Sequence, residues 1–170
     1  MRSHFVQSAF LGFLWCFARL FVRSSSGRQR FNVLGALCAT THQLTTVCNT
    51  GYINSESVCE LLRKLAALPG ITPITVVLDN ARYQHCKLVQ ATAQALGIEL
   101  LFLPTYSPNL NLIERLWKLT KNKVLYSRYY ATFGEFQHAI RSFLDDAHQT
   151  HREELDSLLT LKFQTFAGCA

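Results

Sequence analysis

Ile74-Thr75-Val76-Val77-Leu78-Asp79-Asn80, read together with Leu103-Pro104-Thr105-Tyr106-Ser107-Pro108-Asn109-Leu110-Asn111-Leu112-Ile113-Glu114-Arg115-Leu116-Trp117-Lys118, decides the fold. The first stretch is a β-branched apolar run that stops on a carboxylate, the pattern of a fully buried parallel strand ending at a ligand-binding edge. The second reads as a strand exit, a turn and a helix start near Pro108. The 34 residues between the two acids (80–113) have room for a helix, a second strand and a turn. Asp79 is thereby placed at the C-terminal end of a strand and Glu114 on a helix beside it, and open α/β sheets take their ligands in the crevice beyond the carboxyl ends of their strands. An Asp-Asn pair at a strand end is, by itself, a turn or a cap. Glu114, with Lys118 and Lys121 at i+4 and i+7, is by itself a solvated charged stripe.

Working outward, residues 98–103 read as the next strand, after a helix over 84–96 closed by Gly97 as its C′ residue. Upstream, Asn54 or Ser55 caps a helix whose Val58, Leu61, Leu62, Leu65 and Ala66 recur at helical spacing until Pro69-Gly70 stops it. Residues 30–40 and 44–52 form two β-rich segments joined by Thr41-His42-Gln43, an antiparallel pair. Downstream, Thr132 and Glu135 make a T-x-x-E capping box ahead of the stripe Phe133, Phe136, Ala139, Ile140, Phe143, Leu144 and Ala147. That aromatic stripe is core packing. A weaker helix and a loose tail follow from 149 to 170.

The length of 170 residues, 49% hydrophobic, suits one domain with a sizeable core. Seventeen Lys and Arg against eleven Asp and Glu give a formal charge of +6, which favours polyanionic partners. The excess is local: Arg115, Lys118, Lys121, Lys123 and Arg128 follow one another with no acid between them, and Arg19, Arg23, Arg28 and Arg30 surround the loop-like Ser24-Ser25-Ser26-Gly27. Residues 5–22 are the most apolar part of the chain, but the uninterrupted core from Ala9 to Ala18 falls short of the roughly 20 residues that span a bilayer. The six cysteines form no Cys-x-x-Cys pair, and no Cys/His grouping has zinc spacing. They read as reduced thiols in a cytoplasm.

Leu78-Asp79-Asn80 followed at this spacing by the tract from Leu103 to Lys118 resembles the catalytic region of DDE-type transposases, in the bacterial insertion-sequence branch related to mariner elements. The tract from Ser107 to Lys118 is the specific part, and the resemblance extends from about Ser3 to Ala147. It implies a ribonuclease-H-like mixed sheet with flanking helices, and a site in which three carboxylates hold two Mg²⁺ or Mn²⁺ ions. The second acid of that set falls on Asp79 and the third on Glu114, as catalytic and metal-holding residues. Such hard cations take oxygen ligands, and a pair of them stabilises the attacking and leaving oxygens of a phosphoryl displacement.

The first acid falls at about Met1, yet no Asp or Glu precedes Glu56. The resemblance therefore implies an incomplete metal site, with the first, central strand of the fold missing and the apolar residues 5–17 filling its place. The reading is a transposase fragment, inactive alone: a catalytic domain over residues 1–150 and a helical tail over 151–170. Its partners are DNA, both element ends and target, contacted by Arg115, Lys118, Lys121, Lys123 and Arg128, and a second copy or a full-length transposase. It needs no membrane and sits in the cytoplasm. The alternatives are a non-catalytic DNA-binding or interaction remnant and an exported disulfide protein.

Overall fold

The computed structural model describes residues 1–7, 12, 15–24, 28–70, 73–104 and 110–160. Its strands are β1 (Arg2–Gln7), β2 (Gln29–Leu37), β3 (Leu44–Asn49), β4 (Ile74–Leu78) and β5 (Ile98–Phe102). Its α-helices are α1 (Ser55–Ala66), α2 (Lys87–Ala95), α3 (Leu112–Thr120), α4 (Phe133–Thr150) and α5 (Arg152–Leu158). β1, β2 and β3 form an antiparallel sheet in that order, and β4 pairs with β5 in parallel.

The first strand is present, contrary to the sequence expectation. Arg2–Gln7 pairs along its length with β2, from Arg2 opposite Leu34 to Gln7 opposite Gln29. Its side chains alternate, with Ser3, Phe5 and Gln7 buried and Arg2 and His4 exposed, a period of two that the apolar run after it conceals in the sequence. Among the described residues no ladder joins β1 to β4, so the sheet is divided between them. Trp15 and Phe17 do not fill that division, because both side chains are fully exposed.

Alternation along β2 builds two cores. Phe31 and Val33 face α3, α4 and α5, joining Phe5, Ile113, Leu116, Trp117, Phe136, Ile140, Leu144, Leu155 and Leu159. Leu34 faces the other way and joins Val47 with Val58, Leu61 and Leu62 of α1 and Val89 and Ala93 of α2. Ile74, Val76 and Leu100 pack against the second core, leaving Val77 and Leu101, neighbours across β4 and β5, 43% and 51% exposed. β4 is thus a parallel strand as expected, but buried on one face where full burial was expected. α1 and α2 cover one side of the β4–β5 pair, while the helices of the other side gather over β1 and β2.

The helix signals act as their residue types require. Asn54 caps α1 by accepting from the Ser57 amide at 3.1 Å. In α4, Thr132 Oγ1 accepts from the Glu135 amide at 3.2 Å, and Glu135 Oε2 accepts from the Thr132 amide at 3.3 Å. Gly97 follows α2 with φ of 65°, a conformation that glycine adopts without steric cost. α2 begins at Lys87, three residues later than expected, because Arg82–Gln84 forms a 3₁₀ turn. α3 begins at Leu112, capped by Asn111, whose side chain accepts from the Ile113 amide. Residues 105–109, including the expected start at Pro108, lie outside the described ones, as do 161–170 of the tail. Among the described residues no helix is long and apolar enough to cross a membrane.

Candidate active site

Asp79 follows β4 directly, and the chain around it is held in place by backbone and ring contacts. The Leu103 amide donates to the Leu78 carbonyl at 2.8 Å, which ties the ends of β4 and β5 together. Asn80 takes a left-handed conformation, φ 68°, and turns the chain away from the strand. Its side-chain oxygen is hydrogen-bonded to His85 Nε2, and the His85 ring stacks on Phe102 of β5 with centroids 4.0 Å apart. Gln84 is fully buried and accepts from the Ala81 amide at 3.1 Å through Oε1. The loop that leaves Asp79 is thus pinned to β5 and to itself. Asp79 Oδ1 is buried and has no hydrogen-bond partner among the described residues.

Glu114 arrives by way of α3. Ile113, Leu116 and Trp117 form the buried face of that helix, and Trp117 meets Phe5 of β1 edge to face at 6.2 Å. The close approach is possible because residue 35 of β2 is glycine: a Cβ there would lie 2.9 Å from Trp117 Cη2 and 3.1 Å from Ile113 Cδ1. Packed in this way, the first turn of α3 brings Glu114 within electrostatic reach of Asp79. Burial pushes the Glu114 carboxyl up and Asp79 adds to the rise, while Lys121 and the Met1 amino group oppose it. The two acids have 34 residues between them in the chain (80–113) and are brought together by the fold.

Position 1 belongs to the same place. The buried Met1 amino group donates to the Gly35 carbonyl at 2.6 Å and is lowered to about 6, mainly by burial, with Asp79 and Glu114 partly restoring it. Residue 1 therefore stands beside both carboxylates. Tyr83 is close enough to Asp79 for that acid to help raise its hydroxyl, burial being the larger cause.

A buried carboxylate oxygen without a donor, next to a second carboxylate whose charged form burial disfavours, is a donor set that suits a hard divalent cation. Asp79 and Glu114 would hold it. They supply two carboxylates, and among the described residues no group of three or more His, Cys, Asp or Glu side chains is placed to hold a metal ion. The residues present fit part of a metal site.

The expected DNA-contacting side chains divide. Lys118, Lys121 and Arg128 are exposed, and Lys121 lies over the Phe5 ring at 6.0 Å, on the side of the acids. Lys123 pairs with Glu154 at 2.9 Å. Arg115 Nη1 donates to the Leu158 and Thr160 carbonyls at 3.0 and 2.9 Å. Sequence reasoning did not single out Gly35, although a glycine inside a strand signals close backbone approach. Nor did it single out Gln84 or the Asn80–His85 contact, for which the sequence carries no comparable signal.

The model of the DDE superfamily endonuclease family matches residues 18–137. The chain belongs to this family. No curated protein matches it. Among solved structures it resembles the Mos1 strand transfer complex, with a TM-score of 0.67 at 14% identity over 98% of this chain and 54% of that one. The Mos1 mariner paired-end complex with Mn gives 0.63 at 12% identity, over 93% of this chain and 52% of that one. The catalytic core domain of BIV integrase gives 0.53 at 12%, over 91% and 93%. The chain thus spans about half the length of the Mos1 chains it matches and has the ribonuclease-H-like fold of a DDE transposase domain.

Proposed function

We propose that this DDE-superfamily domain is the catalytic portion of a DNA transposase of the bacterial insertion-sequence branch related to mariner, and that this chain alone does not cut or join DNA. The observation that carries the reading is the meeting of Asp79, with its unpartnered buried oxygen, and Glu114 beside position 1. A divalent cation held by these acids would supply charge stabilisation for a phosphodiester displacement. Asp79 and Glu114 would be the residues that hold it. Lys118, Lys121 and Arg128 hold the DNA backbone, a contact that positions a duplex without reading its sequence. Two carboxylates in place of three would hold such cations less firmly than catalysis by positioning requires.

The test places Asp at position 1, preceded by a strand extension and a DNA-recognition domain, and measures nicking of an element end in Mn²⁺. Activity that disappears with Asp79→Ala or Glu114→Ala supports the reading. Robust metal-dependent nicking by the unmodified 170-residue chain would overturn it. The incomplete acid set also favours a second reading, a non-catalytic DNA-binding partner of a second copy or of a full-length transposase. That reading predicts inhibition of a complete enzyme on mixing. Both carry the expectation of a protein that works on DNA in the cytoplasm.

A further inference from the structure

Two of the five side chains expected to contact DNA turn instead to α5, and one of them adjoins Glu114. Arg115 Nη1 donates to the carbonyl of Leu158, the last residue of α5, and to that of Thr160, two residues beyond it. The last carbonyls of a helix have no partner within the helix, and a cation there also suits its dipole. α5 is a firm anchor for such a contact. Leu155 and Leu159 are buried in the core that holds Trp117, Lys123 pairs with Glu154, and His42 of the β2–β3 turn meets Asp156 at 2.9 Å.

We propose that Arg115 is a positioning residue for Glu114: its guanidinium fastens the first turn of α3 to the carboxyl end of α5 and so fixes the direction in which the neighbouring carboxylate is held. The proposal rests on the reading of Asp79 and Glu114 as a metal-holding pair. The first turn of a helix is where its amides lack internal acceptors and where it frays. Ile113, Leu116 and Trp117 set the depth of α3 against β2, but Glu114 stands on the flank of that buried face, half-buried. A tether on the next residue, reaching a different element, restrains rotation of that turn about the helix axis. Both bonds come from Nη1, whose two N–H groups are fixed in the guanidinium plane and reach the carbonyls of residues 158 and 160 together, whereas a lysine ammonium on a flexible stem supplies the charge without that fixed direction.

The experiment uses the full chain with Arg115→Ala, Arg115→Lys, Glu114→Gln and Lys118→Ala. It reads Mn²⁺ affinity by electron paramagnetic resonance, amide hydrogen exchange along α3, and the salt dependence of DNA binding. Arg115→Ala is expected to weaken Mn²⁺ binding about tenfold, as loss of a contact behind a metal ligand commonly does. It should also speed exchange in the first turn of α3 while the salt slope stays unchanged. Arg115→Lys should show most of the same loss, and Lys118→Ala should do the reverse, lowering the slope and sparing the metal. Unchanged Mn²⁺ affinity in Arg115→Ala, with a slope reduced by about 0.9, would make Arg115 a phosphate contact and overturn the proposal. Uniformly faster exchange through α3, α4 and α5, without loss of Mn²⁺ affinity, would reduce the contact to general stability and overturn it as well. If the unaltered chain binds no Mn²⁺ that Glu114→Gln removes, the reading of the acid pair fails. In that event exchange in the first turn of α3 still decides whether Arg115 restrains it.

Discussion

Gly35 sets how near α3 comes to the sheet, and so how near Glu114 comes to Asp79. Adding a Cβ there drives an atom to 2.9 Å from the Trp117 ring, inside a packed core where neither partner has room to yield. Gly35→Ala is expected to cost about 1–3 kcal/mol in urea denaturation and to weaken Mn²⁺ binding by pushing α3 outward. An unchanged midpoint would show that the ring moves freely. Glu114 gives a prediction of opposite sign. Because burial raises its carboxyl pKa in the folded chain, the folded state holds the proton more tightly than the unfolded one. That contribution is complete below the unfolded pKa and is lost as pH rises through the folded one. Glu114→Gln should therefore raise Tm at neutral pH, with the gain shrinking towards zero near about pH 3. Mn²⁺ should stabilise the natural chain and not the variant.

Among the elements, α4 owes its start to a reciprocal cap. Thr132→Ala removes the acceptor of the Glu135 amide and leaves Glu135 to serve the Thr132 and Ala131 amides alone. A loss of about 1 kcal/mol is expected, seen as a lower urea midpoint with an unchanged slope of free energy against denaturant. α5 matters more than its seven residues suggest, since Leu155 is 1% exposed within the core shared with α3. Leu155→Ala should cost about 2–5 kcal/mol and should speed amide exchange in α3 as well as in α5. If only α5 responds, the two helices are not mechanically joined.

For the whole molecule, the excess positive charge of the chain matters less than how many cations of the basic run are not tied to α5. Arg115 and Lys123 are engaged with α5, which leaves Lys118, Lys121 and Arg128 from that run. Three phosphate contacts give a log–log salt slope for DNA binding of about −2.7, from about −0.9 per phosphate. Lys118→Ala and Lys121→Ala should each flatten it by about 0.9, equally for any duplex sequence. A slope that depends on the duplex sequence, or one that neither substitution alters, would remove these side chains from the DNA path.

The order of strands and helices from β2 onward, the caps at Asn54 and Thr132 and the C′ glycine at position 97 were legible in the chain because each depends on local residue types or on short periodicities. The lengths between Asp79 and Glu114 made it legible that one ends a strand and the other lies on a helix beside it, but their joining in one site was implied by the family resemblance alone. Three matters were decided by tertiary structure. Arg2–Gln7 becomes a strand because β2 offers it a ladder and α3 buries Phe5, neither of which a short alternating run reveals. Half of β4 and β5 stays exposed because the helices divide unequally between the two faces of the sheet. The basic run read as one DNA-binding stripe, yet helical geometry turns Arg115 and Lys123 towards α5 and leaves Lys118 outside. A side chain's charge is written in the sequence, but its partner depends on which element the packed core brings within reach.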